Sequence, residues 1–222
     1  MLNKTDYLEM MMKLLAIDSS ILEKHSVSRQ LMAQYLNCWQ QNYPNFEIIY
    51  RDLNQQPVNH LSSEVLNAKQ QPYDLLSASL KSELEYSELL ITEFLEAQEV
   101  VISAPMYNFT IPTQLKAWID RILAAGRTFK YTEQGVIGLA GDKKVTIIST
   151  RGNHYSSNET MQMKDHQESY LKTVFAFIGI NQTSVIRAES LHLSESLKEN
   201  AIAFAEQEIK AHFLHREQVS LR

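Results

Sequence analysis

The chain has 222 residues, of which 44% are apolar and 21% charged, and its formal net charge is −5. These values are typical of one globular domain and exclude a disordered chain, while the negative charge disfavours a basic surface that binds nucleic acid. The single cysteine, Cys38, excludes an internal disulfide framework, and its apolar neighbours predict a buried structural thiol.

The first segment, residues 1–12, contains Asp6 and Glu9 and lacks the basic leader and long apolar core of a secretion signal. The sequence also has no apolar stretch of the length that predicts a membrane span. We therefore expect an N-terminal extension over residues 1–12, no membrane partner and a cytoplasmic location.

The first predicted element is a short apolar strand, Lys13–Asp18, followed by a turn and by a helix from Arg29 to about Asn42. The turn is rich in hydroxyl groups, which belong to Ser19, Ser20, Ser26 and Ser28. Such serines commonly cap a helix. They also suit a phosphate group, because a helix N-terminus supplies free N–H groups and a positive dipole end. Their position directly after the first strand of a parallel sheet favours the phosphate.

The middle of the chain predicts a second strand over Glu47–Leu53, a long surface loop over residues 54–72 and a helix from Leu75 to Ala97. A loop of that length in a compact domain is commonly functional. The helix is rich in glutamate, which we interpret as a solvated face, because no set of histidines lies nearby at metal-ligand spacing. The sequence predicts no metal site.

The stretch over residues 99–131 is the most informative. Val100–Ile102 is a continuous apolar run, typical of a strand that is buried on both faces. Pro105 is expected to end this strand and Pro112 suits the first turn of a helix, so Met106–Phe109 should form a stiff loop at the strand's carboxyl end. The helix after Pro112 carries an apolar stripe and should end near Gly126.

The rest of the chain continues the alternation of helices and short apolar strands. The predicted elements are a glycine-rich turn over 135–142, a strand over Lys144–Ser149, a helix over Leu171–Phe177, a strand over Gln182–Ala188, a helix over Ser194–His212 and a polar tail over 213–222. This order predicts one α/β domain over residues 13–212, built on a doubly wound, five-stranded parallel sheet of the flavodoxin-like kind.

Three strand ends, after Asp18, Ser103 and Ser149, carry unusual loops and should meet at one edge of the sheet. The first loop offers hydroxyls for a phosphate, and the second offers an apolar and aromatic wall. The third offers Arg151 as a fixed cation and Gly152 as a point of close backbone approach. A phosphate site beside a flat wall fits FMN, and neither G-x-G-x-x-G nor the P-loop pattern occurs in the sequence.

Several motifs carry a family resemblance. They are Ala-Pro-Met-Tyr-Asn-Phe (104–109), Pro-Thr-Gln-Leu-Lys (112–116) and Ala-Gly-Arg-Thr-Phe-Lys-Tyr-Thr-Glu-Gln-Gly (125–135). These motifs resemble the FMN-dependent, NADH-using azoreductases, which also reduce quinones, and the similarity extends from about residue 12 to about residue 190. The resemblance implies one FMN per subunit of a homodimer. It also implies a ping-pong hydride transfer from a reduced nicotinamide, NADH or NADPH, to a quinone or an aromatic azo compound.

The resemblance also implies roles for individual residues. It assigns the FMN phosphate to Ser20, Ser26, the backbone of Val27, and Ser28. It assigns the isoalloxazine ring to Met106, Tyr107, Asn108 and Phe109 and to Thr150, Arg151, Gly152 and Asn153, the last of which stands where the family commonly has glycine. The expected catalytic residues are Asn108, Arg151 and Phe177, with Phe177 bordering the acceptor pocket.

These residues have other interpretations. Asn108 could simply hold a turn, Arg151 could be a surface charge, and Phe177 could belong to the core. For the dimer contact, we expect the helix over 112–125, with Trp118, because large aromatics favour interface cores.

A different class of function is also open. A flavodoxin-like electron carrier would bind FMN and pass single electrons to protein partners through a strongly acidic face. The moderate charge of this chain and its long loop over 54–72 favour the enzyme. A signalling receiver domain would need clustered aspartates after the first strand, where the chain has only Asp18.

Overall fold

A parallel sheet forms the centre of the fold in this computed structural model, which describes residues 12–68 and 70–220, with side chains up to residue 214. The strands are β1 (Lys13–Asp18), β2 (Glu47–Asp52), β3 (Glu99–Pro105), β4 (Phe129–Thr132), β5 (Gly135–Gly138), β6 (Lys144–Thr150) and β7 (Thr183–Ala188). Five of them form the sheet, all parallel, in the order β2-β1-β3-β6-β7. The predicted doubly wound sheet of the flavodoxin-like kind is confirmed.

Seven helices surround the sheet within the described residues. They are α1 (Val27–Asn42), α2 (Ser63–Ala68), α3 (Ala78–Glu96), α4 (Thr113–Ile122), α5 (Glu159–Gln162), α6 (Glu168–Phe177) and α7 (Glu195–Ser220), with two short 3₁₀ turns at Glu23–His25 and Tyr73–Leu75. Alternate residues of β1 supply the two cores: Leu14 and Ala16 pack beneath α1 and α7, while Leu15 and Ile17 pack on the opposite side of the sheet. Cys38 is buried in the first of these cores, as predicted.

The register brings the strand ends together at one edge. Asp18 pairs with Ser103, Pro105 with Thr150, and Thr150 with Ala188. Pro105 is itself the last residue of β3, which a missing N–H permits at the end of a strand. The loops that follow β1, β3, β6 and β7 therefore meet at the carboxyl edge of the sheet.

Trp118 lies in the core, which contradicts its predicted place in a dimer contact. It is fully buried, and its ring centroid lies 5.9 Å from that of Phe94 in an edge-to-face arrangement. The stripe that contains Trp118 is the apolar face of a strongly amphipathic helix, and this chain's own core already covers it.

Several other regions differ from the prediction. The predicted loop over residues 54–72 contains α2, and α5 was not predicted. The glycine-rich turn over 135–142 contains β5, which pairs antiparallel with β4 as a hairpin whose tip has Gly135 at φ +122°. Helix α7 continues past His212 to Ser220, because Phe213 is buried and packs 5.0 Å from the ring of Tyr35. Residues 1–11 of the predicted extension, and residues 221–222 of the predicted tail, lie outside the described residues.

Candidate active site

A cavity of about 480 Å³ lies at the carboxyl edge of the sheet. Four loops line it, with Ser20, Ser26 and Val27 after β1; Met106 and Tyr107 after β3; Thr150, Arg151 and Gly152 after β6; and Leu191, His192, Ser194 and Lys198 after β7. The structure thus brings the first eight of these, all predicted site residues, to one cavity. The β7 loop was missed by the sequence reasoning, although its position after a strand at the same edge was the signal that could have found it.

The hydroxyl cluster, which we define as Ser20, Ser26 and Ser28, lies where α1 begins. Ser26 caps the helix, since its Oγ accepts the Arg29 amide N–H at 3.3 Å. The amides of Val27 and Ser28 belong to the first turn and have no acceptor within the helix. Ser20 Oγ lies 3.0 Å from the hydroxyl of Tyr107, which links the cluster to the β3 loop. Hydroxyls and first-turn amides on a helix of 16 residues are a donor set suited to an anion.

Ser28 occupies a different place from the one predicted for a direct phosphate ligand. Its side chain is fully buried and lies behind Ser26, with the two hydroxyl oxygens 3.0 Å apart. The Ser28 hydroxyl therefore supports the cavity wall rather than lining it.

Arg29 holds the loop between β1 and α1 in place, a role that the sequence analysis did not predict. Its guanidinium donates to the Ser20 carbonyl oxygen from Nη2 at 2.8 Å, and to both carboxylate oxygens of Asp52 at 2.5 and 2.7 Å. Burial alone would raise the pKa of Asp52, but the hydrogen bonds from Arg29 and from the Asn54 and Gln55 amides hold it below its ordinary value. A cation in the first turn opposes the helix dipole, and that unfavourable position was a signal of a tertiary role.

Asp18 lies beneath the same loop, at the end of β1. Burial raises the pKa of its carboxyl group, against the lowering effect of the Tyr50 hydroxyl that donates to it. Burial, together with this carboxylate, in turn raises the pKa of Tyr50.

The β3 loop has an unusual backbone. Asn108 and Phe109 have φ values of +48° and +71°, in the left-handed region that asparagine tolerates and phenylalanine rarely adopts. The loop is held by reciprocal backbone hydrogen bonds between Tyr107 and Thr110, at 2.9 and 3.1 Å. Phe109 is half exposed, and its carbonyl accepts the His166 N–H at 3.0 Å.

Asn108 and Phe109 do not line the main cavity. Asn108 instead faces a neighbouring cavity of about 340 Å³, which also contacts Tyr107, Lys116 and Tyr170. Tyr107 contributes to both cavities and separates them.

Arg151 is neither a surface charge nor a free cation facing the cavity. We call it, with Asp165, Glu168 and Glu189, the arginine network. Only 1% of the Arg151 side chain is exposed, and its guanidinium contacts Asp165 at 2.8 Å, Glu189 at 3.1 Å, and Glu168. Arg151 lines the cavity as expected, but three carboxylates already balance its charge, and its predicted role toward a flavin ring stays a prediction.

Glu168 is the centre of this network. It also accepts two hydrogen bonds from Arg187, each at 2.8 Å. Burial alone would raise the pKa of Glu168, but the hydrogen bonds from Arg187 and the charge of Arg151 lower it.

Gly152 lies close to the side chain of His192, while its predicted approach to a flat ring stays a prediction. A Cβ atom at this position would lie 2.7 Å from Nδ1 of His192, which also lines the cavity. Asn153 points elsewhere, since its side-chain oxygen accepts the His154 amide at 2.7 Å and its carbonyl accepts the Ser190 amide at 3.1 Å. The asparagine at 153 therefore stabilises its own loop.

Phe177 lies away from the cavity. It is partly exposed and packs with its ring centroid 4.8 Å from that of Phe129, beside the exposed Tyr131 of the hairpin. Within this one chain, Phe177 does not meet the other predicted site residues.

The described ranges, residues 12–68 and 70–220, contain neither a cluster of metal ligands nor a helix of membrane-spanning character. No cluster of three or more histidine, cysteine, aspartate or glutamate side chains there could hold a metal ion. No helix there is long and apolar enough to cross a membrane.

An open parallel sheet of this strand order, with a cavity and an anion-binding helix end at its carboxyl edge, defines the flavodoxin-like class of proteins. A family model described as the flavodoxin-like fold matches residues 12–213. An FMN-dependent NADH:quinone oxidoreductase of Legionella pneumophila is 48% identical over 199 residues, covering 90% of this chain and 96% of that protein. An enzyme of the same name from Azospirillum brasilense is 51% identical over 201 residues, covering 90% and 97%.

Among solved structures, an FMN-dependent NADH-azoreductase from Bacillus anthracis in complex with FMN superimposes with a TM-score of 0.85. It is 26% identical, and the match covers 92% of this chain and 99% of that chain. The chain therefore belongs to the family of the FMN-dependent NADH:quinone oxidoreductases, and the resemblance drawn from its motifs is confirmed.

Proposed function

We propose that the protein is an FMN-dependent oxidoreductase that takes hydride from NADH and reduces quinones and aromatic azo compounds. The observation that carries the proposal is the hydroxyl cluster at the start of α1, which shares one cavity with the loops after β3 and β6. Two relatives that are named FMN-dependent NADH:quinone oxidoreductases, with 48% and 51% sequence identity to this chain, support it.

The donor set of the cavity fits FMN. Ser20, Ser26 and the first-turn amides of Val27 and Ser28 would hold its phosphate, because hydroxyl and amide groups donate hydrogen bonds and carry no negative charge that would repel it. Met106 and Tyr107 on one side, and Thr150–Gly152 on the other, would hold the ring. When bound, FMN supplies a ring that accepts hydride from one partner and gives it to the next.

We propose that the donors toward the ring come from the main chain of the β3 and β6 loops. The balanced charge of Arg151 supports this, since a guanidinium tied to three carboxylates adds little field beyond them. In this arrangement Arg151 positions the loop, and the left-handed backbone of Asn108 and Phe109 orients the amides of residues 108–109.

A ping-pong order also belongs to the proposal. One main cavity is then enough for both partners, because NADH leaves before the acceptor enters. The neighbouring cavity beside Asn108 adjoins this shared space at Tyr107, and Asn108 would contact the part of the acceptor that extends into it.

We further propose a homodimer that works in the cytoplasm. The exposed side chains of Phe177 and Tyr131, on either side of Phe129, support an apolar contact with a second copy. Sedimentation velocity of the wild type and of Phe177→Ser tests it, and a wild type that sediments as a monomer would contradict it. The need for NADH and the lone buried thiol of Cys38 support the location.

The decisive experiment records the visible spectrum of the purified protein after addition of FMN, then anaerobic NADH, then benzoquinone. We expect flavin absorbance that bleaches with NADH and returns in stoichiometric amount with quinone. Retained flavin that NADH cannot bleach would favour an electron carrier. A protein that retains no flavin would contradict the proposed function.

A second experiment tests the hydroxyl cluster. Replacing Ser26 and Ser28 together with alanine should weaken FMN retention about tenfold or more, because the Ser26 donor and the buried hydroxyl that supports it are both lost. Ser184→Ala, an exposed serine on β7, is the matched control. Equal retention in the double variant and the control would remove the phosphate from this site.

A further inference from the structure

Ser103 is a buried hydroxyl in a strand that is otherwise apolar around it. It lies between Ile102 and Ala104 on β3 and is fully buried. Its Oγ donates a hydrogen bond to Ser28 Oγ at 2.9 Å, while its carbonyl accepts from Ser19 Oγ at 2.7 Å. A buried hydroxyl costs free energy unless it is hydrogen-bonded, so its presence in the sheet calls for a physical reason.

The hydrogen bond from Ser103 begins a chain of hydroxyl groups that ends at the cavity. Ser28 Oγ lies 3.0 Å from Ser26 Oγ, and Ser26 lines the cavity. Ser103 and Ser28 are fully buried, so neither hydroxyl has bulk water to complete its hydrogen bonds.

Each hydroxyl donates one proton and accepts up to two hydrogen bonds. Ser28 accepts the proton of Ser103, and either oxygen can be the donor in its 3.0 Å contact with Ser26; with Ser28 as the donor, every hydrogen bond of the chain points toward the cavity. Ser26 Oγ already accepts the Arg29 amide at 3.3 Å, so two donors occupy its acceptor capacity. Its own proton remains for a group in the cavity, which turns Ser26 into a donor.

We propose that Ser103 is a positioning residue that orients the Ser28 and Ser26 hydroxyls so that Ser26 donates to the phosphate of FMN. This inference rests on the proposed function. Ser103 does not touch the cavity, and its effect should therefore be confined to ligands that place an anion beside Ser26.

Asp18 is a competing acceptor for the Ser103 proton, since the two residues pair in the register of β1 and β3. The Ser103 hydroxyl is near enough to help lower the pKa of Asp18, but the Tyr50 hydroxyl and an Arg29 nitrogen both face Oδ2, and the buried Oδ1 accepts no hydrogen bond from Ser103 or any other described residue. The 2.9 Å contact with Ser28 places the Ser103 hydrogen bond in the direction of the cavity.

The experiment compares two ligands that differ by the phosphate alone. Flavin-free wild type, Ser103→Ala and Ser103→Cys are titrated with FMN and with riboflavin, and binding is followed by quenching of flavin fluorescence. We expect Ser103→Ala to weaken FMN about tenfold and to leave riboflavin unchanged, since a hydrogen bond to a charged group is affected. Ser103→Cys keeps the size and a weak donor, so its loss of FMN affinity should be smaller.

Ser149→Ala is the matched control. Ser149 is also buried at the end of a strand at the same edge, but its hydroxyl donates to Gln167 at 2.9 Å, away from the hydroxyl cluster. We expect this variant to leave the ratio of FMN to riboflavin affinity as in the wild type.

Three outcomes would overturn the inference. They are an unchanged FMN affinity in Ser103→Ala, an equal loss of affinity for FMN and riboflavin in that variant, or the same change in the ratio of the two affinities in Ser149→Ala. If Ser103→Ala fails to fold, the Ser103→Cys variant provides the test. A wild-type ratio of FMN to riboflavin affinity in Ser103→Cys would overturn the inference. A wild type that binds neither flavin would instead contradict the proposed function, so the two failures are distinguishable.

Discussion

Two arginines hold the two sides of the cavity, and they do so in different ways. Arg29 pairs mainly with one carboxylate, that of Asp52, lies 3.9 Å from that of Asp18, and donates to the carbonyl of Ser20. Arg151 is surrounded by three carboxylates, those of Asp165, Glu168 and Glu189. The phosphate side thus consists of hydroxyls and amides at the start of one helix with one main ion pair behind them, whereas the ring side depends on a network of several charges that joins the ends of β6 and β7 to α6.

The difference predicts unequal consequences when one carboxylate is removed. On the phosphate side, the hydroxyls and first-turn amides remain in place without Asp52 because the helix itself presents them. On the ring side, removal of the Glu168 charge weakens the hydrogen bonds of two arginines at once, although Arg151 keeps Asp165 and Glu189.

Glu168→Gln should have the largest effect. It removes the charge that accepts hydrogen bonds from the buried Arg151 and the partly exposed Arg187, which should lower the free energy of unfolding by about 3 kcal/mol. Urea denaturation followed by far-ultraviolet circular dichroism measures the loss. Glu88→Gln is the control, since its exposed pair with Arg127 should contribute less than about 1 kcal/mol. Equal losses in the two variants would remove the distinction between buried and exposed pairs.

Asp52→Asn should have the next largest effect and should depend on pH. The folded-state pKa of Asp52 is lowered, so its contribution to stability is present above the unfolded-state value of about 4. That contribution is lost as the pH falls through the folded-state value. We expect Asp52→Asn to lower the free energy of unfolding by about 2 kcal/mol at pH 7, because hydrogen bonds to a charged group are weakened.

The measurement is urea denaturation of the wild type and Asp52→Asn from pH 7 to pH 3. The difference between the two proteins should narrow as the pH falls below about 4. A difference that stays constant over this range would show that the Asp52 charge does not stabilise the fold.

Gly152→Ala probes the contact between the β6 and β7 loops. The new methyl group would lie 2.7 Å from Nδ1 and 3.2 Å from Cγ of His192, so this side chain must move, at a cost of about 1 to 2 kcal/mol. We expect weaker FMN retention, because the loop that would hold the ring shifts with it. Adding His192→Ala should restore stability, and a double variant as unstable as Gly152→Ala would place the strain elsewhere.

The same contrast explains what the sequence could predict. The strands, their common edge and the serines before α1 are local patterns, since apolar runs and hydroxyls at a helix start are visible in a single stretch. The partners of Arg151 cannot be predicted from the sequence, because Asp165, Glu168 and Glu189 lie on other elements. The Arg-Gly dipeptide itself also does not indicate that the arginine is buried. Trp118 was misplaced for a related reason: an apolar stripe predicts that a face is covered, but does not tell whether this chain or a second copy covers it.

Asn108 should have the smallest effect on stability, and comparing two substitutions separates its two possible roles. Its φ of +48° suits asparagine and glycine, so Asn108→Gly keeps the loop and removes only the side chain, while Asn108→Leu also imposes about 1 kcal/mol of backbone strain. If the side chain contacts the acceptor beside the second cavity, both variants should lower quinone turnover more than they lower FMN affinity. If Asn108 only holds the turn, Asn108→Gly should turn over quinone at the wild-type rate and Asn108→Leu alone should be impaired. Steady-state kinetics with benzoquinone, set beside FMN titrations of the same proteins, decides between a loop held by its backbone and one that also recognises the acceptor.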